Sequence, residues 1–239
     1  MIRVGRRIYS NGGYQDPEYP GFTKILVMTP GYGGYHTLSP YSLKNDKGQI
    51  MENIWQFSKV YYQVRRSVQR KSRYDNTIIW NHPAEIHVVE SGEITDEYVA
   101  WREKGFNNPY PVRYPNGYNY RHECVCSLKT IYDQPLDYIE SRKQIYLPLY
   151  IELVSQQDQF FELKELLSKG MNLLIIEVDG PHEESMSYYI KKYGVSTDFI
   201  ELNTMLANED NLRIMLNDPK HPFGHGYCLA VALLELDLS

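Results

Sequence analysis

Residues 172–178 constrain this 239-residue chain most, because Leu173-Leu174-Ile175-Ile176 is an unbroken apolar run closed off by Gly170 before it and Asp179-Gly180 after it. A run that short between turn residues has the length of a buried strand. Helical patterns surround it. Residues 160–169 read as a helix stopped by Gly170, and the acids at 183–184 open another, as the helix dipole favours. Further helices are expected over 51–60, from 96 through 101 with a stop at Gly105, over 136–156 in spite of Pro148, which should kink or break it, over 209–216 and over 226–236. Short strands are expected at 24–29, 76–80 and 85–90, the last two about a turn at 81–83. The expected class is α+β, mainly helical with a small β-sheet. Residues 1–22 read as an extended N-terminal arm with turns, and 23–239 as a single domain, since no Pro/Ser/Gly-rich linker interrupts them.

A net charge of -5 argues against bulk polyanion binding. The local run Arg65, Arg66, Arg70, Lys71 and Arg73 goes against that average and is a candidate grip for nucleic-acid phosphates, or else a solvated helix end and loop. Three cysteines, two of them one residue apart, build no disulfide framework and fit a reducing, cytoplasmic setting. No apolar run approaches a membrane span, so a soluble product with no membrane partner is expected. Residues 31–36, Gly-Tyr-Gly-Gly-Tyr-His, lack the lysine of a phosphate loop and read as a flexible rim or a plain turn.

Candidate chemistry gathers in residues 51–60. On a helix, Glu52, Gln56 and Lys59 stand at i, i+4 and i+7, so a carboxylate, an amide and an ammonium share one face, flanked by Trp55 and Tyr62. An ordinary solvated face with a Glu/Lys pair is the plain alternative. His82 and His87 near a turn read as hydrogen-bonded structure before acid/base groups. In His122-Glu123-Cys124-Val125-Cys126 a metal set would need distant His225 or Cys228 to complete it, so buried cysteine packing is the default and no metal or cofactor is expected.

The order of these pieces along the chain resembles the NADAR (YbiA-like) family. Glu-x-x-x-Gln-x-x-Lys at 52–59, preceded by Leu38-Ser39-Pro40-Tyr41, is similar to that family's Leu-Ser-Asn-Phe segment and Glu-His-x-x-Gln-x-x-Lys helix. Pro111-Val112-Arg113-Tyr114-Pro115 resembles its Arg-x-Asp-Trp turn, Leu173 to Glu177 its Leu-Val-Glu strand, and residues 223–230 its Trp-Gly-x-Gly segment. Three positions depart from the pattern: Asn53 stands for His, Pro40 for Asn, and Phe223 where the family has Trp.

The resemblance implies a YbiA-like fold and N-glycosidase action on ADP-ribosylated guanine or on a base linked to ribose phosphate. In it Glu52 would be the catalytic carboxylate, with Glu177 and Asp179 as further acids. Ser39, Gln56, Lys59 and Phe223 would line the substrate, and His225 would stand at its edge. Arg113 is a candidate phosphate clamp, since a guanidinium fork matches phosphate oxygens, and Trp55 or a loop tyrosine a candidate base-stacking ring. A non-catalytic binder of nucleotide or ADP-ribose keeps the same residues and is the alternative, together with a nucleic-acid-associated protein using the basic run.

Overall fold

The structure, a computed structural model, describes residues 1–10, 12–27, 34–69 and 80–238. They form two compact units, one of Met1–Ser39 with Leu147–Ser239, the other of Pro40–Tyr146. No linker marks the division in the sequence. Among the described residues no helix is long and apolar enough to cross a membrane.

In the first unit the apolar run is the strand Asn172–Glu177, inside a four-stranded sheet ordered Thr204–Leu206, Ile2–Arg6, Asn172–Glu177, Phe22–Leu26. Ile2–Arg6 and Phe22–Leu26 pair with it in parallel, Ile2 opposite Leu173 and Phe22 opposite Asn172, while Thr204–Leu206 runs antiparallel at the edge. Leu173 to Ile176 are all buried. An unbroken rather than alternating apolar pattern is what a strand covered on both faces requires. Helix Asp158–Ser168 packs on this strand, and helix His225–Leu234 on it and on Ile2–Arg6. Gly226 to Leu233 are buried without exception, so that helix is apolar all round.

The extended arm expected at 1–22 is therefore corrected. Ile2–Arg6 is an inner strand, with Ile2 and Val4 in the core. Arg3, buried between them in sequence, donates through Nε to Thr204 Oγ1 at 2.7 Å and lies over the Tyr19 ring at 3.8 Å. Ile8–Ser10 and Gly13–Gln15 form a hairpin, and the strand expected at 24–29 is observed as Phe22–Leu26, residues 28–29 lying outside the described residues.

The helix expected at 136–156 is observed as three consecutive pieces, Tyr138–Ser141, a π-helical turn at Arg142–Tyr146, and Leu147–Val154. Pro148 directly follows the π-helical turn, whose wider winding meets the proline's demand for space.

In the second unit the helix expected over 51–60 ends at Phe57. Ser58 closes it, its Oγ donating to Ile54 O at 2.6 Å, and Lys59–Tyr61 is a strand paired antiparallel with Cys124–Ser127. β-branched Val60 and aromatic Tyr61 favour that strand. Phe57, Val60, Tyr61, Trp80, Tyr98, Trp101 and Leu128 make an aromatic-rich core. Helix Asp96–Phe106 starts at Thr95, whose side chain accepts from Tyr98 N, and runs through Gly105 rather than stopping there. Gly105 is a packing notch: a Cβ on it would lie 2.0 Å from Phe57 Cδ1.

The strand expected at 76–80 is observed as Trp80–His82, with 76–79 outside the described residues, and that expected at 85–90 as Glu85–Ile86. Both nearby histidines are buried. Lys104 Nζ lies 3.3 Å from His82 Nδ1, and an ammonium can only donate, so His82 Nε2 carries the proton and donates to Glu85 Oε2 at 2.7 Å. His87 is wholly buried beside Trp101 and Tyr98; among the described residues neither ring nitrogen has a hydrogen-bond partner, and Nε2 stands 3.7 Å from Glu85 Oε2.

Burial holds the His87 pKa down at about 4, against the opposing pull of Glu85. Between the ordinary histidine value near 6.5 and about 4, the unfolded chain then binds the extra proton, so stability falls as pH drops through that window. The expected loss is about 3 kcal/mol from this residue. Urea midpoints at pH 7 and pH 4 for wild type and His87→Leu check it: the variant should lose less than wild type across the window, and equal losses would remove the effect.

Candidate functional site

Helix Met51–Phe57 places Glu52 and Gln56 one turn apart, both buried, at 5% and 6% exposure. Gln56 Nε2 donates to Glu52 Oε1 at 2.9 Å, and Lys59 Nζ donates to Gln56 Oε1 at 2.8 Å. The three side chains expected on one helical stripe are thus joined, but Lys59 arrives from the following strand after the Ser58 break. Its ammonium also lies 4.8 Å over the half-buried Trp55 ring, which in turn sits 5.0 Å from Tyr146. Burial pushes the Lys59 pKa down; Cys124 and Glu52 pull it back up, and the positive charge of Arg113 adds to the depression. A carboxylate, an amide and two cations therefore share one electrostatic neighbourhood.

Asn53, in sequence only a departure from the family's His, organises the loop bearing Arg113. It is fully buried, donates through Nδ2 to Asn108 O and Tyr110 O at 3.0 Å each, and accepts from Val112 N at 2.8 Å. The amide has both donor and acceptor atoms for this, and imidazole cannot offer the same three bonds to backbone.

In the other unit, Glu177 ends the central strand and is buried at 3% exposure. Its Oε1 accepts from Val178 N at 2.8 Å and Asp179 N at 3.3 Å; its Oε2 accepts from Gly226 N at 2.6 Å. The carboxylate thus caps the start of helix His225–Leu234, at the positive end of its dipole. Gly224 and Gly226 make room for it, since a Cβ on either would approach its side chain to 2.7 and 2.9 Å. His225 Nδ1 stands 3.1 Å from Glu177 Oε2, while its Nε2 lies 2.6 Å from Val27 O. A carbonyl only accepts, so Nε2 carries a proton. Asp179, half-buried, supplies its backbone to this turn.

No family model, curated protein or solved structure matches the chain.

The remaining candidates are placed individually. Ser39 is buried, its N–H bonded to His36 O at 3.2 Å. Phe223 is buried and stacked on Tyr227 at 5.1 Å. Of the basic run, Arg65 pairs with Glu123 at 3.3 Å and lies over Tyr120 at 4.0 Å, and Arg66 is exposed. Arg70, Lys71 and Arg73 lie outside the described residues, as do Gly31, Tyr32 and Gly33 of the glycine-tyrosine loop. A bulge between Cys124 and Cys126 breaks the alternation of that strand. Burial pushes both thiols up, Cys126 to about 11. A cleft of about 440 Å³ in the second unit is lined by Tyr62, Gln63, Arg65, His122, Glu123, Cys124 and Val125, not by Glu52.

Proposed function

We propose that the Pro40–Tyr146 unit carries an N-glycosidase site in which Glu52 acts on the C1' of a ribose bearing a base, the ribose carrying phosphate or an ADP group. The carrying observation is the buried Glu52 carboxylate, held by Gln56 and linked through it to the Lys59 ammonium. Departure of the base leaves an oxocarbenium-like C1', which a fixed carboxylate stabilises best where water is excluded. In this reading Glu52 takes a proton from the attacking water, the C1'–N bond breaks as the C1'–O bond forms, and the proton passes from Glu52 to the departing base, which restores the carboxylate.

Lys59 and Arg113 suit phosphate oxygens, one as a point charge and the other as a planar fork. Trp55, half-buried with Lys59 over its ring, is the candidate to stack a base. The resemblance also gives roles to Ser39, Glu177, Asp179, Phe223 and His225. For Glu177, its three bonds to backbone N–H groups favour holding a turn over proton transfer. The YbiA-like form of the α+β fold and a cytoplasmic setting belong to the same proposal.

A non-catalytic binder of nucleotide or ADP-ribose is favoured by one observation, the commitment of Asn53 to backbone bonds where the family has its histidine. One experiment separates the two: chromatographic detection of free base from a panel of ADP-ribosylated and ribose-phosphate-linked bases, with calorimetric titration of ADP-ribose. Base release supports the enzyme, binding without release supports the binder, and neither result leaves both readings without support.

A further inference from the structure

We propose that Ser185, His221 and Asp218 form a second, acyl-transfer site, in which Ser185 Oγ is a nucleophile toward esters of small acyl groups. The three belong to one unit and stand in a line: Ser185 Oγ is 3.0 Å from His221 Nε2, and His221 Nδ1 is 2.5 Å from Asp218 Oδ2. This is the nucleophile, base and orienting acid recognised by geometry rather than by chain order.

Each link has a definite direction. Asp218 is wholly buried, and its carboxylate accepts from Tyr188 OH at 2.5 Å, Tyr189 OH at 3.1 Å, Tyr193 OH at 3.2 Å and Lys220 N at 3.2 Å. Desolvation works to raise its pKa, but the bonds from Tyr188, His221 and Lys220 outweigh it and hold the value at about 2. An ionised carboxylate can only accept, so His221 Nδ1 carries the proton and Nε2 presents its lone pair to the Ser185 hydroxyl. That tautomer is the one a general base needs. Tyr189, stacked 5.1 Å from the imidazole, and Tyr188, edge-on at 5.2 Å, fix the ring's orientation.

Ser185 occupies the N-cap of helix Met186–Tyr193, yet its side chain makes no capping bond; it is committed to His221. An oxyanion forming at Ser185 would stand at the positive end of that helix. Lys192, 3.8 Å from Asp218 Oδ1, and Lys220, 4.4 Å over the Tyr188 ring, add positive charge nearby. Ser185 and His221 are both half-buried rather than enclosed in the core.

In the reaction Ser185 Oγ bonds to the ester carbonyl carbon and its proton passes to His221 Nε2. The ester C–O bond then breaks, and the leaving alkoxide takes that proton. Water, losing a proton to the same nitrogen, adds to the acyl carbon, the bond to Oγ breaks, and Ser185 recovers its proton. Ester and water become acid and alcohol.

The test is labelling of the full chain with a fluorophosphonate, whose P–F bond is replaced by P–Oγ with loss of HF, followed by peptide mapping. Ser187, two residues on and exposed, is the internal control. A positioned base is worth roughly 100-fold or more, so Ser185 should be modified at least about 100-fold faster than Ser187. His221→Gln should abolish that preference, and Ser185→Ala should remove para-nitrophenyl acetate hydrolysis above background. Equal labelling of the two serines in wild type, absence of labelling at Ser185, or an unchanged preference in a folded His221→Gln protein overturns the proposal. The wild-type comparison requires no variant to fold.

Discussion

Glu52→Gln should lower base release about a thousandfold, a loss of about 4 kcal/mol of transition-state stabilisation. Gln has the same length and keeps an oxygen to accept from Gln56 Nε2, so the bond now 2.9 Å long has an acceptor in the variant. What disappears is the negative charge, and that charge matters only as C1' becomes positive. The loss should therefore fall on kcat, with ADP-ribose affinity by calorimetry within a few-fold of wild type. Because Lys59 is held partly by the field of Glu52, removing the charge should depress its pKa further, toward a neutral amine. Affinity for a phosphorylated ligand should then decline earlier as pH rises than in wild type. Undiminished turnover in the variant would refute the role given to Glu52.

Gly105→Ala should destabilise the Pro40–Tyr146 unit by about 3 kcal/mol, the upper end of the usual cost of overpacking. On an exposed helix the same change gains up to about 1 kcal/mol, so the sign depends on the contact. The added methyl carbon would lie 2.0 to 2.3 Å from three ring carbons of Phe57. That ring cannot step aside, being fully buried with Trp80 and Trp101 centroids at 4.7 and 4.6 Å. Urea denaturation measures the loss, and Phe57→Leu in the Gly105→Ala background should recover part of it. A single variant as stable as wild type would show that the two helices separate at little cost.

Local pattern carried the parts of the fold that are local. Asn172–Glu177, Asp158–Ser168, Glu209–Asn217 and His225–Leu234 lie within a residue or two of their expected places, because an apolar run, a period or a stop residue marks each. Ile2–Arg6 does not announce itself as an inner strand because Ile-Arg-Val-Gly-Arg gives no sign of burying Arg3; the groups that accept Arg3, Thr204 and Glu201, lie about two hundred residues away. Gly105 looked like a helix stop, since a notch for Phe57 and a terminator use the same residue.

For the candidate site, Glu52 and Gln56 are legible from i, i+4 spacing, whereas the route of Lys59 depends on Ser58 ending the helix. The Glu177 cap had a signal in Gly224-His225-Gly226, two glycines about one histidine, but what they accommodate comes from a different strand. Asp218 and His221, three residues apart, carry no motif that marks the second cluster, and its serine lies 36 residues earlier.

The inner place of Ile2–Arg6 also shapes how the sheet is assembled. During synthesis these residues emerge long before Asn172–Glu177 and Thr204–Leu206, the two strands between which they lie. Ile2–Arg6 has neither sheet neighbour until residues 172–206 have followed, and closing so long a loop is slow. Until then its bare ladder is the place where a nascent chain could stick to another, and where a chaperone would be of most use.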